Sequence, residues 1–399
     1  MNLSRRKMLK ASLAVATLPL TSKLGFAAGW AGIEAQAKGQ TVFFNAWAGS
    51  ETINAYIAWA GEEVRGRFGI SLNHVKISDT AEVVRRVRDE VQAGKAGGSA
   101  DLVWINGENF RVMKEGNLLF GPFAETLPNF KYVDTDGKPT TLSDFSEPVG
   151  GMESPWGMAQ LTFFGDGSKL SKLPKSMLEL VDFAKANLGR VSYPAPPDFH
   201  GTTFVKQALI ETIADRAQLS RPASKEQFVA VSAPMFALLD SLRPQLWRDG
   251  KQYPQTQAQL KQMLADGELL MALTFNPNEA ANLVAAKQLP ESTVAWQFTS
   301  GTIGNTHFVG IPVNSKAQEA AQVVANFLLS PEAQARKADL ATWGDPTVLA
   351  IAKLSPADAK LFAGGDVAGS VRNPAPAIPE PHGSWVPLIE AAWLEHYGA

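Results

Sequence analysis

The sequence predicts an α/β protein of two lobes, each a mainly parallel sheet flanked by helices. Three observations predict it. Residues 41–105 alternate strand, helix, strand, helix and strand, which implies parallel strands joined by right-handed crossovers. A second alternating region begins near residue 191 and runs past residue 279. The chain has 399 residues, room for two or three domains.

Each element follows from local pattern. Residues 41–45 are a short apolar strand, ended by the small residues Ala48, Gly49 and Ser50. Ile53, Ile57, Ala60, Val64 and Phe68 recur at helical spacing, and Gly69 stops that helix. Residues 70–77 alternate as a second strand. Asp79 with Glu82 forms a capping box for a helix that turns Val83, Val84, Val87 and Val91 inward. Gly94, Gly97 and Gly98 close it, and residues 101–105 read as a fully buried strand. Residues 131–147 are polar and turn-rich, and Pro155-Trp156-Gly157 leads into an apolar run at 161–164.

In the second region residues 191–193 are a strand candidate before Pro194, Pro196 and Pro197. Val205, Ala208, Leu209, Thr212 and Ile213 mark one helical face. Leu260, Met263 and Leu264 mark another, stopped by Gly267. Residues 269–275 read as a buried strand, and Asn278 caps a short helix from Glu279. The glycine- and hydroxyl-rich residues 300–306 read as a connection between lobes. A strand at 308–313, a strong helix at 317–329 and a helix opened by Ser330-Pro331-Glu332 follow. The C-terminal stretch is amphipathic through Ile389, Trp393 and His396.

Composition excludes several functions. With no cysteine there is no disulfide framework, thiol nucleophile or cysteine metal site. The histidines at 74, 200, 307, 382 and 396 form no local metal-binding pair, so neither metal nor cofactor is expected. A balance of 37 basic and 39 acidic residues lacks the basic excess of a nucleic-acid binder. No G-x-S-x-G nucleophile elbow occurs. Residues 61–68 have P-loop glycine spacing, but Arg67-Phe68 stand where Lys and Ser/Thr are needed. The run Arg85-Arg86-Val87-Arg88 reads as a solvated helix face.

The N-terminus reads as an export signal. Basic residues 5–10 precede an apolar run at 11–20, which as a helix spans only ~15 Å, about half a bilayer core. Ser4-Arg5-Arg6 with Leu9 and Lys10 resembles the twin-arginine export motif, with Met8 in place of Phe. Residues 1–37 are assigned to the signal on the Ala35-Gln36-Ala37 pattern, with cleavage after Ala27 as the alternative. The expected location is periplasmic.

Ligands of α/β sheets bind beyond the C-terminal ends of the strands. Four loops there carry polar groups beside glycine or proline, and the first two add tryptophan, as a polar small-molecule pocket requires. They supply Asn45, Trp47 and Glu51; Trp104, Asn106, Glu108 and Asn109; Asp198, His200, Thr202 and Thr203; and Asn276, Asn278 and Glu279. Trp156 joins them as a candidate aromatic wall. Trp343 and Trp385 stay open, whereas Trp59, Trp296 and Trp393 read as core. Ser, Thr, Asn, Asp and Glu are also what helix N-termini need for capping, so each residue carries that second reading. The acids without lysine or arginine in these loops point to a cationic or neutral polar ligand.

Three stretches resemble family 1 extracellular solute-binding proteins, the periplasmic receptors of ABC importers. They are residues 100–105 with 112–119, Pro155-Trp156-Gly157 leading to Phe163-Phe164, and residues 311–315 through 334, the most specific of the three. Phe164-Gly165-Asp166 departs from the aromatic-Asn pair usual at the second. The subfamily resembled is related to thiamine and ferric-iron receptors, but Tyr193 lacks the neighbouring tyrosine that iron receptors use. The resemblance implies a type II periplasmic-binding fold, a Venus flytrap with residues 38–157 and 308–399 in lobe 1 and 158–307 in lobe 2. It also implies a monomer that hands a small-molecule ligand to a permease and its cytoplasmic ATPase. The competing reading is a periplasmic enzyme on the same scaffold, with Glu108 and Asp198 as acid and base.

Overall fold

A computed structural model describes residues 29–363, 367–372 and 374–398. The basic and apolar parts of the expected export signal lie outside them. The described chain opens with α1 (Trp30–Ala37), β1 (Thr41–Trp47), α2 (Glu51–Phe68), β2 (Ser71–Ile77), α3 (Thr80–Gln92), β3 (Leu102–Ile105) and α4 (Glu108–Glu115). β1 pairs in parallel with both β2 and β3. Gly69 ends α2 in the left-handed region at φ 67°, where its N–H reaches the Arg65 carbonyl at 3.0 Å and the Ile70 N–H reaches the Val64 carbonyl at 3.4 Å. The Asp79 carboxylate caps α3 by accepting from Ala81 N at 2.8 Å, and Val83, Val84 and Val87 are buried.

A hairpin of β4 (Ser143–Asp144) and β5 (Glu147–Pro148) precedes the long strand β6 (Glu153–Gln160). After it come β7 (Thr162–Asp166), α5 (Met177–Ala186), α6 (Phe199–Thr212), α7 (Lys225–Leu242), α8 (Gln257–Ala265), β8 (Ala272–Thr274), α9 (Glu279–Ala285) and β9 (Thr293–Trp296). The chain then returns through β10 (Thr302–Gly310), α10 (Gln318–Leu328), α11 (Pro331–Ala338), α12 (Pro356–Ala359), β11 (Ala377–Ile378) and α13 (Trp385–Tyr397).

Two sheets organise these elements. The six-stranded sheet runs β11-β10-β3-β1-β2, with β6 also paired to β10. The inward residues of β1 and β3 alternate in the usual period of two. Phe44 and Leu102 join one core beneath α2 and α10, while Val103 and Ile105 join a second beneath α3 and α4. The three-stranded sheet β8-β7-β9 has its own core, which includes Phe163, Leu209, Leu239 and Leu273.

Five sequence expectations change. Residues 302–306, read from composition as an irregular glycine-rich segment, are regular strand: they start β10, are buried and pair with β6 or β11. Residues 191–193 are buried but unpaired by any strand, and their neighbourhood bonds to loops, as in Trp247 N to Val191 O at 2.8 Å. The second sheet is antiparallel throughout, not mainly parallel. Residues 308–399 do not all return to the first lobe. Trp385, Ile389, Trp393 and Tyr397 on α13 bury into the second core, where Trp393 Nε1 donates to Tyr193 Oη at 3.0 Å. Arg86 is not wholly solvated, because its guanidinium donates to Asn45 Oδ1 at 2.6 Å.

Candidate functional site

The ends of β1 and β3 deliver the first group of candidates. Asn45 is fully buried, and both ends of its amide are engaged, Oδ1 by Arg86 and Nδ2 by Phe43 O at 3.2 Å. It therefore braces β1. Trp47 is 40% exposed and Glu51 is exposed, so neither is enclosed. Beyond β3, Gly107 takes φ 62° and donates its N–H to Asp144 Oδ2 at 2.7 Å. A Cβ there would stand 2.9 Å from the Phe145 ring, so glycine lets the loop at 143–146 close on α4. Asn106, Glu108 and Asn109 are half-buried beside it. Burial pushes the Glu108 carboxyl up, against the downward pull of its own N–H and Lys206.

Behind this edge stands a group of rings. Trp156 is fully buried, with Trp104 edge-on at 4.8 Å, Trp343 at 5.4 Å and Phe44 at 5.6 Å. Trp156 thus backs Trp104 and Trp343 rather than forming a wall itself. His307 lies 5.1 Å from the Trp104 ring, and its Nε2 is 3.1 Å from Asp345 Oδ2, which also bonds Lys337. Burial raises the Asp345 carboxyl, but His307 and Lys337 together outweigh it and hold the group below its ordinary value. A Cβ on Gly157 would fall 2.0 Å from Asp345 Oδ2, so this pair needs glycine on β6.

The second lobe meets this surface through three segments. Asp198 caps α6, accepting from His200 N at 2.9 Å and Gly201 N at 3.2 Å. Burial raises its carboxyl, yet His200 and the two N–H groups leave it below its ordinary value. Thr203 is fully buried and turns its hydroxyl to Phe199 O at 2.7 Å, within its own helix. Thr202 instead donates to Glu390 Oε1 on α13 at 2.8 Å. Asn276 and Asn278 donate to the Trp343 and Gly344 carbonyls at 3.2 and 2.7 Å, and Asn282 joins them on Trp343 O at 2.5 Å. Asn278 therefore spends its amide across the seam and does not cap α9. Glu279 is held by Lys261 and by Gln257 Nε2 at 2.9 Å.

The structure thus joins Trp104, Glu108, Thr202, Asn276 and Asn278 along one seam, with Phe199 and Phe275 in edge contact at 5.2 Å beside them. Trp47, Glu51, Thr203 and Glu279 are otherwise engaged or apart. Sequence reasoning missed Lys206, Glu380, Glu390, Asn305, His307 and Asp345. One signal was available: Lys206 interrupts the apolar run 204–210, and a lysine in such a stripe is almost never buried unless paired. Trp343 is 4% exposed with its ring in the first core and gives the seam its main-chain carbonyl, while Trp385 lies in the second core. Tyr193 does have a tyrosine beside it in space. The Tyr253 ring is 5.2 Å away, and both lie in the second core. Among the described residues no group of three or more His, Asp or Glu is arranged to hold a metal ion.

The model of a bacterial extracellular solute-binding protein matches residues 59–363. The chain belongs to that family. It is 46% identical over 382 residues to the protein YnjB of Escherichia coli (strain K12), covering 96% of this chain and 97% of that one. The periplasmic binding protein AfuA of Actinobacillus pleuropneumoniae, solved with fructose 6-phosphate, superimposes with a TM-score of 0.61 at 14% identity, covering 90% of this chain and 99% of that one. The spermidine/putrescine substrate-binding protein PotD of Streptococcus pneumoniae gives 0.59 at 14% identity, over 90% and 98%. The fold is the two-lobed type II periplasmic-binding fold. Among the described residues no helix is long and apolar enough to cross a membrane.

Proposed function

We propose that this member of the solute-binding family is the ligand receptor of an ABC-type importer. It captures a small polar solute between the lobes, closes on it, and presents it as a monomer to a membrane permease coupled to a cytoplasmic ATPase. One observation carries this reading: two lobes with separate apolar cores meet along a seam of half-buried polar groups, supplied from both sides. Such a seam can part and re-form around a ligand, as hinged binding proteins do. The enzyme alternative is weaker on the same geometry. Asp198, its expected base, is committed to capping α6.

Export to the periplasm fits the N-terminal sequence. Cleavage after Ala27 fits the fold better than cleavage after Ala37. Helix α1 would be lost in the second case, although Ala37 is fully buried and Trp30 and Ile33 pack on the first core.

The test is a thermal-shift screen run beside a turnover assay. A receptor is stabilised by intact solute as RT ln(1 + [L]/Kd), without consuming it. Accumulation of a converted product at catalytic protein concentration would establish the enzyme instead. AfuA was solved with a sugar phosphate and PotD is named for polyamines, so fold likeness does not fix the sign of the ligand's charge. That sign has to come from the seam.

A further inference from the structure

Where the N-terminus of α4 faces α6 and α13, four carboxyl groups surround one ammonium. Lys206 Nζ donates to Glu380 Oε2 at 2.6 Å, with both side chains 1% exposed. It also lies over the Phe145 ring at 4.7 Å and the Phe199 ring at 5.5 Å. Glu108 is close enough to feel Lys206 and Glu380, Glu390 feels Glu108 and Lys206, and Asp144 feels all of Glu108, Glu380 and Lys206. One lysine stands against four carboxyls, and burial pushes the Glu108, Asp144 and Glu390 carboxyls up, so they ionise at little cost only where a further cation pairs with them.

A second, independent observation concerns hydrogen bonds. Asn305 on β10 is 4% exposed and donates Nδ2 to Glu380 Oε1 at 3.1 Å, which turns its amide toward the carboxyl group. Its Oδ1 has no donor among the described residues, and neither does Asp144 Oδ1. Both atoms are acceptors. What this part of the seam lacks is N–H donors, and what it holds in excess is carboxyl groups over cations. An anion would worsen both conditions, and a neutral polyol would relieve only the first. A protonated amine relieves both.

We infer that the solute captured here is a small organic ammonium compound, seated between Glu108 of one lobe and Glu390 of the other, with the Phe199 ring against it. Phe199 is 39% exposed and already lies beside one ammonium, that of Lys206, so its face suits a second cation. This rests on the receptor reading and adds the ligand class to it. It also gives closure a cause. The two carboxylates come from different lobes, so one bridging cation favours the closed arrangement over the open one.

The test is calorimetry and thermal shift on the exported protein, after partial unfolding and refolding to strip bound solute. Three sets of probes are compared at millimolar concentration: the amines ethanolamine, choline, putrescine and spermidine; the anions sulfate, phosphate and fructose 6-phosphate; and the neutral compounds glycerol and glucose. The expected result is binding confined to an amine, weakened about tenfold or more by Glu108→Gln and by Glu390→Gln, as loss of a buried charge partner should do. Glu332→Gln, in an exposed pair with Arg67, should leave it unchanged. If Glu390→Gln does not fold, Glu390→Asp keeps the charge on a shorter arm and should still weaken binding. Binding of an anion or neutral compound instead of every amine overturns the ammonium assignment and leaves the receptor reading intact. Amine binding indifferent to both glutamine variants also overturns it. No binding by any of the three sets counts against the ammonium assignment and the receptor reading together.

Discussion

Glu153 holds a buried carboxyl group that no donor supports among the described residues. It opens β6 fully buried, and neither carboxylate oxygen has a hydrogen-bond partner among the described residues. Its charged neighbours are Asp144, of the same sign, and Lys114, whose ammonium is turned to Glu147 at 2.6 Å and to Pro148 O at 2.5 Å. Burial first, and Asp144 second, push the Glu153 carboxyl well above its ordinary value. A pKa raised by folding means that the folded state prefers the protonated form. The stability this contributes is complete below the ordinary carboxyl value and is lost as pH rises through the folded one. Glu153→Gln keeps the shape, removes the ionisation and places an N–H donor near Asp144. At pH 8 the variant should be more stable by about 1–3 kcal/mol, the usual cost of a buried unsatisfied polar group. At about 2–4 °C per kcal/mol for a domain of lobe size, that is a gain of roughly 2–12 °C. Differential scanning fluorimetry from pH 5 to pH 8 should show the gain shrinking toward pH 5. A destabilised variant at pH 8, or a gain independent of pH, would refute the reasoning.

Lys206→Met should cost about 3–5 kcal/mol in denaturant unfolding, because it leaves Glu380 buried without its cation; a loss below about 1 kcal/mol would show that water already shields the pair. Small-angle scattering with a saturating solute that raises Tm should give a smaller radius of gyration, and an unchanged radius would count against closure on that solute. The intact mass of exported protein should correspond to a chain beginning at Ala28, whereas a chain beginning at Lys38 would contradict the packing of α1.

The first half of the fold was legible because its signals are local. Phe44, Val64, Val87 and Val103 advertise their elements by spacing within a dozen residues, and Asp79 and Gly69 mark helix ends by chemistry each carries alone. Residues 302–306 misled because glycine, threonine and asparagine are loop residues by composition. Here they are strand because distant segments lie alongside, β6 more than 140 residues earlier and β11 more than 70 later. The candidate site was legible where loop composition was enough, as at Glu108, Thr202 and Asn276. It was illegible where partners are distant. Lys206 and Glu380 are 174 residues apart, Thr202 and Glu390 188, and Asn276 and Trp343 67. Periodicity carries no information about such pairings. It also misassigned α13, whose apolar stripe is plain in sequence but does not say which core receives it.

The chemistry of the seam bears on how easily the lobes separate. Each lobe keeps its large apolar side chains in its own core, Phe163 and Leu209 in one, Phe44 and Val324 in the other. What joins them at Trp343 and Gly344 is a set of three amide-to-carbonyl hydrogen bonds from Asn276, Asn278 and Asn282. An apolar seam would resist opening in proportion to the area exposed, at about 25 cal/mol per Å². Amides and carbonyls exchange one another for water at a net cost of only about 0.5–1.5 kcal/mol each. Three such bonds favour closure by about 1.5–4.5 kcal/mol, which keeps opening thermally accessible. A solute that pairs with groups from both lobes adds to that small bias, and its departure removes the addition. The same clasp built from leucines would hold the lobes shut with or without cargo. A polar seam between two dry cores is therefore what lets the ligand's own interactions decide the state of the hinge.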